Sequence, residues 1–250
     1  MSNYSYNYIM ETSTLLLKNT FLMFTFQTGR YFLFAGLAYL IIWKWNKSYA
    51  LKHQTQTVGF KPGQIFQEIK WSMLTNFIFT LITLLSFWTY IKDESFLSRM
   101  KPEFSLMTVV WLIGLILFHD AYFYWMHRTI HHPKVYKLIH RTHHLSTNPS
   151  PWAAFSFHPI EAVLEVIWTV PIIYFLEPNP FTMLLFSIII LFVNVTGHSG
   201  VELYPASWSE HRYLKYILRP DQHNDHHHYF KGNYGLYFSF WDRWMGTLRK

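Results

Sequence analysis

A chain of 250 residues is long enough for one good-sized domain, but half of its residues are hydrophobic, a fifth are aromatic and only 14% are charged, which is apolar for a soluble protein of this length and leans toward a membrane. With no cysteine, disulfides and thiolate metal sites are excluded, so any transition metal must be held by nitrogen and oxygen ligands. The net charge of +7 is not gathered into a basic stripe with interleaved aromatics, which argues against a nucleic-acid partner.

The first twenty residues carry Glu11 and no basic cluster before an apolar stretch, so a cleaved signal peptide is not expected. A bilayer core about 30 Å thick takes roughly 20 apolar residues per helical crossing. The first candidate crossing, about 21 to 43, is interrupted by Arg30, so that either the helix starts late or the side chain snorkels to an interface. The second, about 71 to 91, has no charge from Trp71 to Ile91; the third, about 104 to 126, carries His119 and Asp120 close to its end. Segments of about 160 to 177 and 180 to 197 are separated by Glu-Pro-Asn-Pro, whose prolines demand a tight break, and they read as a helical hairpin.

Lys and Arg accumulate in short cytoplasmic loops. Residues 44–70 hold five, 127–158 four and 198–250 seven, whereas Lys18 stands alone before the first span and the three in 92–103 are offset by as many acids. The alternation suits five crossings with the C-terminus inside. Both histidine-dense segments, 127–158 and 198–228, then fall on the cytoplasmic side.

His127 and His131 are four residues apart and share a face of a helix. His140 with His143 and His144, and again His223 with His226 and His227, repeat the spacing His-x-x-His-His, a fork that could reach two adjacent ions. Lone histidines such as His53 and His211 read instead as hydrogen-bonded structural residues. A pH sensor or a loose sequestration tract would not need strict spacing, whereas eight imidazoles here fall in helix-compatible pairs and triplets. Protonated imidazoles would repel at short range, and a shared metal removes that cost. Imidazole suits zinc, copper, iron and nickel alike. A structural zinc takes four ligands and a catalytic one about three, so eight or more argue for two metals.

"HDAYFYWMHRTIHHPKVYKLIHRTHH", "HNDHH" and the closing "NYGLYFSFWDRWMGTL" resemble the fatty acid hydroxylase and sterol desaturase superfamily of integral membrane di-iron oxygenases, over about residues 105–250. The resemblance implies that His127, His131, His140, His143, His144, His223, His226 and His227 bind two irons, with a further ligand region in "NVTGHSG". There His198 is expected as a ligand. Asn194 stands where some members have a histidine, and is expected to act through a bound water or to be a helix-packing residue. His119 and Asp120 match the family's "HD" and read as buried support, in which a carboxylate fixes an imidazole's tautomer. His158, with Glu161 one turn on, matches a family signature whose role does not follow from the sequence; with Asn194, His119 and Asp120 it completes the candidate catalytic residues. His228 reads as a neighbour of ligands.

The expected fold class is all-α: an integral membrane protein of about four to five transmembrane helices with a cytoplasmic histidine-rich di-metal cap. Residues 1–104 form a membrane-spanning region and 105–250 the catalytic region, in one structural unit. The expected activity is O2-dependent hydroxylation or desaturation of a long apolar lipid, using two irons (zinc as a substitute) to abstract hydrogen from an unactivated C–H bond. Flavin and nicotinamide fingerprints and iron–sulfur cysteines are missing, so a separate electron-transfer protein is expected to supply two electrons per turnover. Trp125, Phe155, Phe157 and Trp168 are candidate walls of a lipid channel or, alternatively, ordinary core. The rival readings are a membrane zinc hydrolase and a metal transport or sequestration protein.

Overall fold

The computed structural model describes residues 3–56, 58–91 and 104–249. The charges of 92–103 that entered the orientation count lie outside the described residues. The first helix, α1 (Asn3–Tyr39), runs on through a π-helical turn, Leu40–Trp45. No proline, and no glycine before Gly29, interrupts it, so the helix does not start late at Arg30. Nor does Arg30 snorkel: its Nη1 donates to Ser187 Oγ on a neighbouring helix at 2.5 Å, and the guanidinium lies 4.9 Å from the Phe26 ring.

A short α2 (Lys47–His53) leads to α3 (Gln64–Ile91). Helix α4 (Leu106–Ile130) opens on a capping box in which Ser105 accepts from the Thr108 amide. Then follow α5 (Pro133–Ile139), α6 (Pro159–Ile167), α7 (Thr169–Leu176), α8 (Pro180–Gly197), α9 (Pro220–Tyr229) and α10 (Phe240–Trp244). Proline begins α5, α6, α8 and α9, where its missing N–H costs no helical hydrogen bond and its fixed φ suits the first turn. Among the described residues there are no strands, only two isolated bridges, Gln54 with Val201 and Ile217 with Phe238.

Among the described residues, four stretches are long and apolar enough to cross a membrane: Gln64–Phe87, Leu106–Ile130, Pro159–Leu176 and Pro180–Gly197. Helix α1 is not among them, and four lies within the four to five expected, at the lower end. Phe175, Phe192 and Leu117 are exposed on these helices, as lipid-facing residues would be. The expected hairpin is present, its turn made by Glu177 in the left-handed region and by Asn179, which caps α8.

Contacts between elements put the histidine segments at one end of the bundle. At the end of α1, Trp43 Nε1 donates to the Ser199 carbonyl; at the start of α3, Gln64 Nε2 donates to the Asn148 carbonyl. Helices α4 and α8 finish at this end, in His131 and His198, and α6 begins there at His158. The segments 44–56, 58–63, 131–158 and 198–219 therefore cap the same face. Below them a core of Tyr31, Phe155, Phe157, Leu191 and Val195 fixes α1 and α8 against the 3-10 turn Pro151–Phe155.

Candidate metal centre

Nine buried or nearly buried imidazoles meet in the cap as two groups. His127, His131, His140, His144 and His226 form the first, and His143, His198, His223 and His227 the second; within each group one ligand atom per residue lies within 4.8 Å of all the others. The two His-x-x-His-His patterns are split in opposite senses. The first sends His140 and His144 to the five-membered group and His143 to the other; the second sends His226 to the five and keeps His223 and His227 with the four. The first pattern is not one continuous helix: His140 caps the end of α5, and His143 and His144 sit in a 3-10 turn (His143–Leu145) joined by a hydrogen bond from the His144 amide to the His140 carbonyl.

For six of the nine rings the second nitrogen explains how the ring is aimed. Nδ1 donates to the Tyr234 carbonyl from His127 (2.9 Å), to Ser156 from His143 (3.3 Å), to Asn194 from His198 (2.7 Å), to Gly232 from His226 (2.7 Å) and to Ser146 from His227 (3.0 Å). His140 Nδ1 meets Glu161 Oε1 at 2.6 Å. A carbonyl only accepts, so the five rings bonded to carbonyls carry their proton on Nδ1 and present a bare lone pair at Nε2. Those Nε2 atoms converge. His140 lies 3.0 Å from both His127 and His144, and His131 3.1 Å from His226 and 3.2 Å from His144; in the second group His198 is 3.0 Å from His223 and 3.2 Å from His143 and His227.

Burial first, and then the neighbouring imidazoles, hold His140, His143, His144, His223 and His227 well below the ordinary histidine pKa; burial pushes His198 down to about 4. The rings are therefore neutral near pH 7, the form that ligates metals. The bare Nε2 lone pairs of His143 and His227 both face that of His198, so these contacts cannot be hydrogen bonds, and a cation between them resolves the conflict. Metal–nitrogen bonds of about 2.0–2.1 Å put ligands at right angles about 3 Å apart, which matches these contacts, so the donor set fits two metal ions.

The tail after α9 supplies much of this orientation. Asp242 accepts from the amides of Tyr234 (2.9 Å) and Gly235 (2.8 Å) and from Thr247 Oγ1 (2.7 Å), folding the segment that presents the Tyr234 and Gly232 carbonyls. Gly232 has φ +78°, and a Cβ there would come within 2.4 Å of the Thr247 carbonyl oxygen, so a side chain would push the tail off the site.

The supporting residues expected from the sequence behave differently. Asp120 fixes no imidazole: its Oδ1 accepts from the amides of Tyr237 (3.2 Å) and Phe238 (3.1 Å), clasping the tail to α4. The carboxylate that does hold an imidazole is Glu161, one turn into α6, whose Oε2 is buried without a partner. His119 lies outside both groups, stacked on Trp168 at 4.8 Å with Nδ1 2.9 Å from the Tyr237 hydroxyl. His158 is also outside; its Nδ1 accepts from the Ile160 amide and caps α6, which sets the helix that carries Glu161. His228 is exposed and joins neither group, His53 stacks on Tyr49, and His211 accepts from the Tyr213 and Leu214 amides.

Beside the second group is a cavity of about 220 Å³, where Asn194, His198 and His223 meet Ile116, Leu236 and Tyr237. Asn194 Nδ2 donates to the Ile190 carbonyl at 3.1 Å. The aromatic residues expected as channel walls are elsewhere. Phe155, Phe157 and Trp168 are core residues, and Trp125 is exposed beside Arg128.

A model described as fatty acid hydroxylase matches residues 112–247. The chain is 30% identical over 244 residues to a Delta(7)-sterol 5(6)-desaturase of Aspergillus fumigatus, the match covering 89% of this chain and 72% of that protein. A Delta(7)-sterol 5(6)-desaturase of Gibberella zeae is 32% identical over 198 residues (76% and 58%), and the lathosterol oxidase of Homo sapiens 30% identical over 225 residues (88% and 70%). No solved structure matches.

Proposed function

Because the chain belongs to the fatty acid hydroxylase family, we propose that it is an O2-dependent di-iron oxidoreductase that introduces a double bond into a sterol-like lipid. The carrying observation is the pair of imidazole groups, with nine donors in all. A mononuclear hydrolytic zinc needs about three, and a transporter would place its ligands deep in several crossings, whereas these cluster at helix ends. The relatives named above, sterol desaturases and a lathosterol oxidase, support a sterol-like substrate and desaturation.

The first iron would be held by His127, His131, His140, His144 and His226, and the second by His143, His198, His223 and His227. When bound, the pair supplies O2 activation and the hydrogen abstraction that an unactivated C–H bond requires. The chain's own residues do the rest. Backbone carbonyls hold the Nδ1 protons of His127, His143, His198, His226 and His227, and Glu161 meets Nδ1 of His140, which keeps the Nε2 atoms of these rings free to ligate. Asp120 and Asp242 hold the tail that carries two of those carbonyls. The cavity beside His198 and His223 offers apolar walls with polar points at Asn194 and Tyr237, the mixture that buries a hydrocarbon and orients it.

Two electrons per turnover come from a separate carrier protein. The cap and C-terminus face the cytoplasm, in keeping with the basic loops around them. Single cysteines at Tyr229 and Lys137, in a chain with no others, should be blocked by a membrane-impermeant thiol reagent only after cells are opened. Labelling in sealed cells would reverse the orientation.

The deciding experiment is anaerobic purification followed by metal analysis and turnover with a Δ7-sterol, O2 and a reductant. About two irons per chain and a product lighter by two hydrogens are expected. A single tightly held zinc, or turnover without O2, would defeat the reading.

A further inference from the structure

The five-histidine group approaches the protein surface through aromatic rings. Tyr136 of α5 lies with its ring 5.5 Å from His131 and 5.9 Å from His144, and Phe230, just after α9, lies 5.1 Å from His144 and 6.2 Å from Tyr136. Phe230 is 37% exposed although it touches an imidazole that is 3% exposed. It also holds φ +61°, a left-handed conformation that is costly for a bulky residue. Burial of the ring does not account for tolerating that cost. Around these rings Lys134, Lys137, Arg141, Lys231 and Arg249 are exposed, with Arg249 over the Tyr229 ring at 4.4 Å. Asp225 faces Arg249 and His228 and offsets part of this charge.

We propose that this basic rim, centred on Phe230 and Tyr136, is the docking surface for a small acidic one-electron carrier protein, which delivers its electrons to the five-histidine group across those two rings. The proposal rests on the di-iron reading above. Charge complementarity selects the partner class: cations around an exposed aromatic patch steer an acidic protein and leave its prosthetic-group edge against Phe230. A lipid headgroup would use the charges but has no use for rings in contact with imidazoles. In each encounter the carrier would be oxidised by one electron, which iron held by the five-histidine group would take up in passing from ferric to ferrous. Two encounters supply two electrons and solvent two protons; the lipid, as its double bond forms, supplies a further two electrons and two protons, and together these four electrons and four protons reduce one O2 to two waters. The exchange is expected to be weak and salt-sensitive, as electron-transfer interfaces are.

The probe is a plant-type [2Fe–2S] ferredoxin, an acidic carrier, with basic cytochrome c as its opposite, each bound to the full chain in nanodiscs of neutral lipid. Ferredoxin should bind the metal-free and the iron-loaded protein alike, less as salt rises. The triple variant Lys134→Glu, Lys137→Glu, Lys231→Glu should weaken that binding roughly ten-fold or more and strengthen cytochrome c binding. Phe230→Asn, which suits the left-handed backbone but removes the ring, should leave docking intact and slow stopped-flow reduction of the loaded centre several-fold. Unchanged ferredoxin binding in the triple variant overturns the proposal, as does an effect of that variant seen only with anionic-lipid nanodiscs. Charge-dependent docking with no reduction of the wild-type centre instead supports the surface and removes the di-iron reading.

Discussion

The two histidine groups lie side by side, with the rings of His144 and His227 4.7 Å apart, yet their surroundings have little in common. The five-membered group is backed by a carboxylate, Glu161 on His140, and reaches the surface under Tyr136 and Phe230. Backbone carbonyls hold rings in both groups, at His127 and His226 in the first and at His143, His198 and His227 in the second, but no carboxylate backs the second group among the described contacts, and two of its rings line the cavity. Under the proposed di-iron function, the difference divides the labour between the two groups. Five protein ligands leave a metal few free positions, and a neighbouring carboxylate raises the basicity of the ring it holds. Four ligands beside a cavity leave room for O2 and substrate. On this reading electrons enter at the fuller group and the lipid meets the emptier one.

Ligand removal gives the largest expected effect. His226→Ala should cost the first group its metal and His143→Ala the second, each with turnover down more than roughly 100-fold and helical content unchanged, because the spans do not depend on these rings. Metal analysis and circular dichroism would check this, with His53→Ala as the unaffected control. Loss of both irons together from either variant would mean that the groups are one cooperative site. A smaller, one-sided effect is expected from Glu161→Gln, which keeps a hydrogen-bonding partner for His140 but removes the charge. Chelator titration should show one iron released about 10 to 100 times more readily while the other holds. Equal weakening of both irons would show that Glu161 supports the cap as a whole.

Spacing made the imidazoles legible, because the pairs four residues apart, His127 with His131, His140 with His144 and His223 with His227, each end in the same group. Their division into groups was not legible. It depends on how α4, the turn after α5 and α9 approach one another, and within one pattern adjacent histidines go to different groups. Asp120 was expected to hold an imidazole because it follows His119, but Glu161 performs that role across 21 residues. The cue was an acid next to a hydrophobic run, in the first turn of a helix that a proline starts. The apolar stretches located the later spans well, since hydropathy needs no tertiary knowledge. It could not say which aromatics face a cavity, and so Phe155, Phe157 and Trp168 turned out to be packing residues while Leu236 and Tyr237 went unremarked. Phe230 left no trace at all, because positive φ at a phenylalanine follows from the turn through Gly232 and not from local preference.

The finest test of the difference between the groups is Asn194, one helical turn before His198 and on the cavity wall. Its side-chain amide is already bonded to Ile190, and its backbone carbonyl, which no substitution removes, holds His198. Asn194→Ala should therefore keep both irons and lower stability by about 1 kcal/mol through the lost hydrogen bond. Mössbauer spectra of the iron-57 protein would then be unchanged at equal occupancy. Asn194→His offers the four-membered group a fifth imidazole from the cavity side. If the open position there serves the reaction, the variant should hold its second iron more tightly and turn over more slowly, with the first iron's spectrum unaltered. Tighter binding with undiminished turnover would mean that the difference in ligand number between the two groups has no part in the chemistry. An altered spectrum in Asn194→Ala would instead make the native asparagine, through water, a member of the coordination sphere.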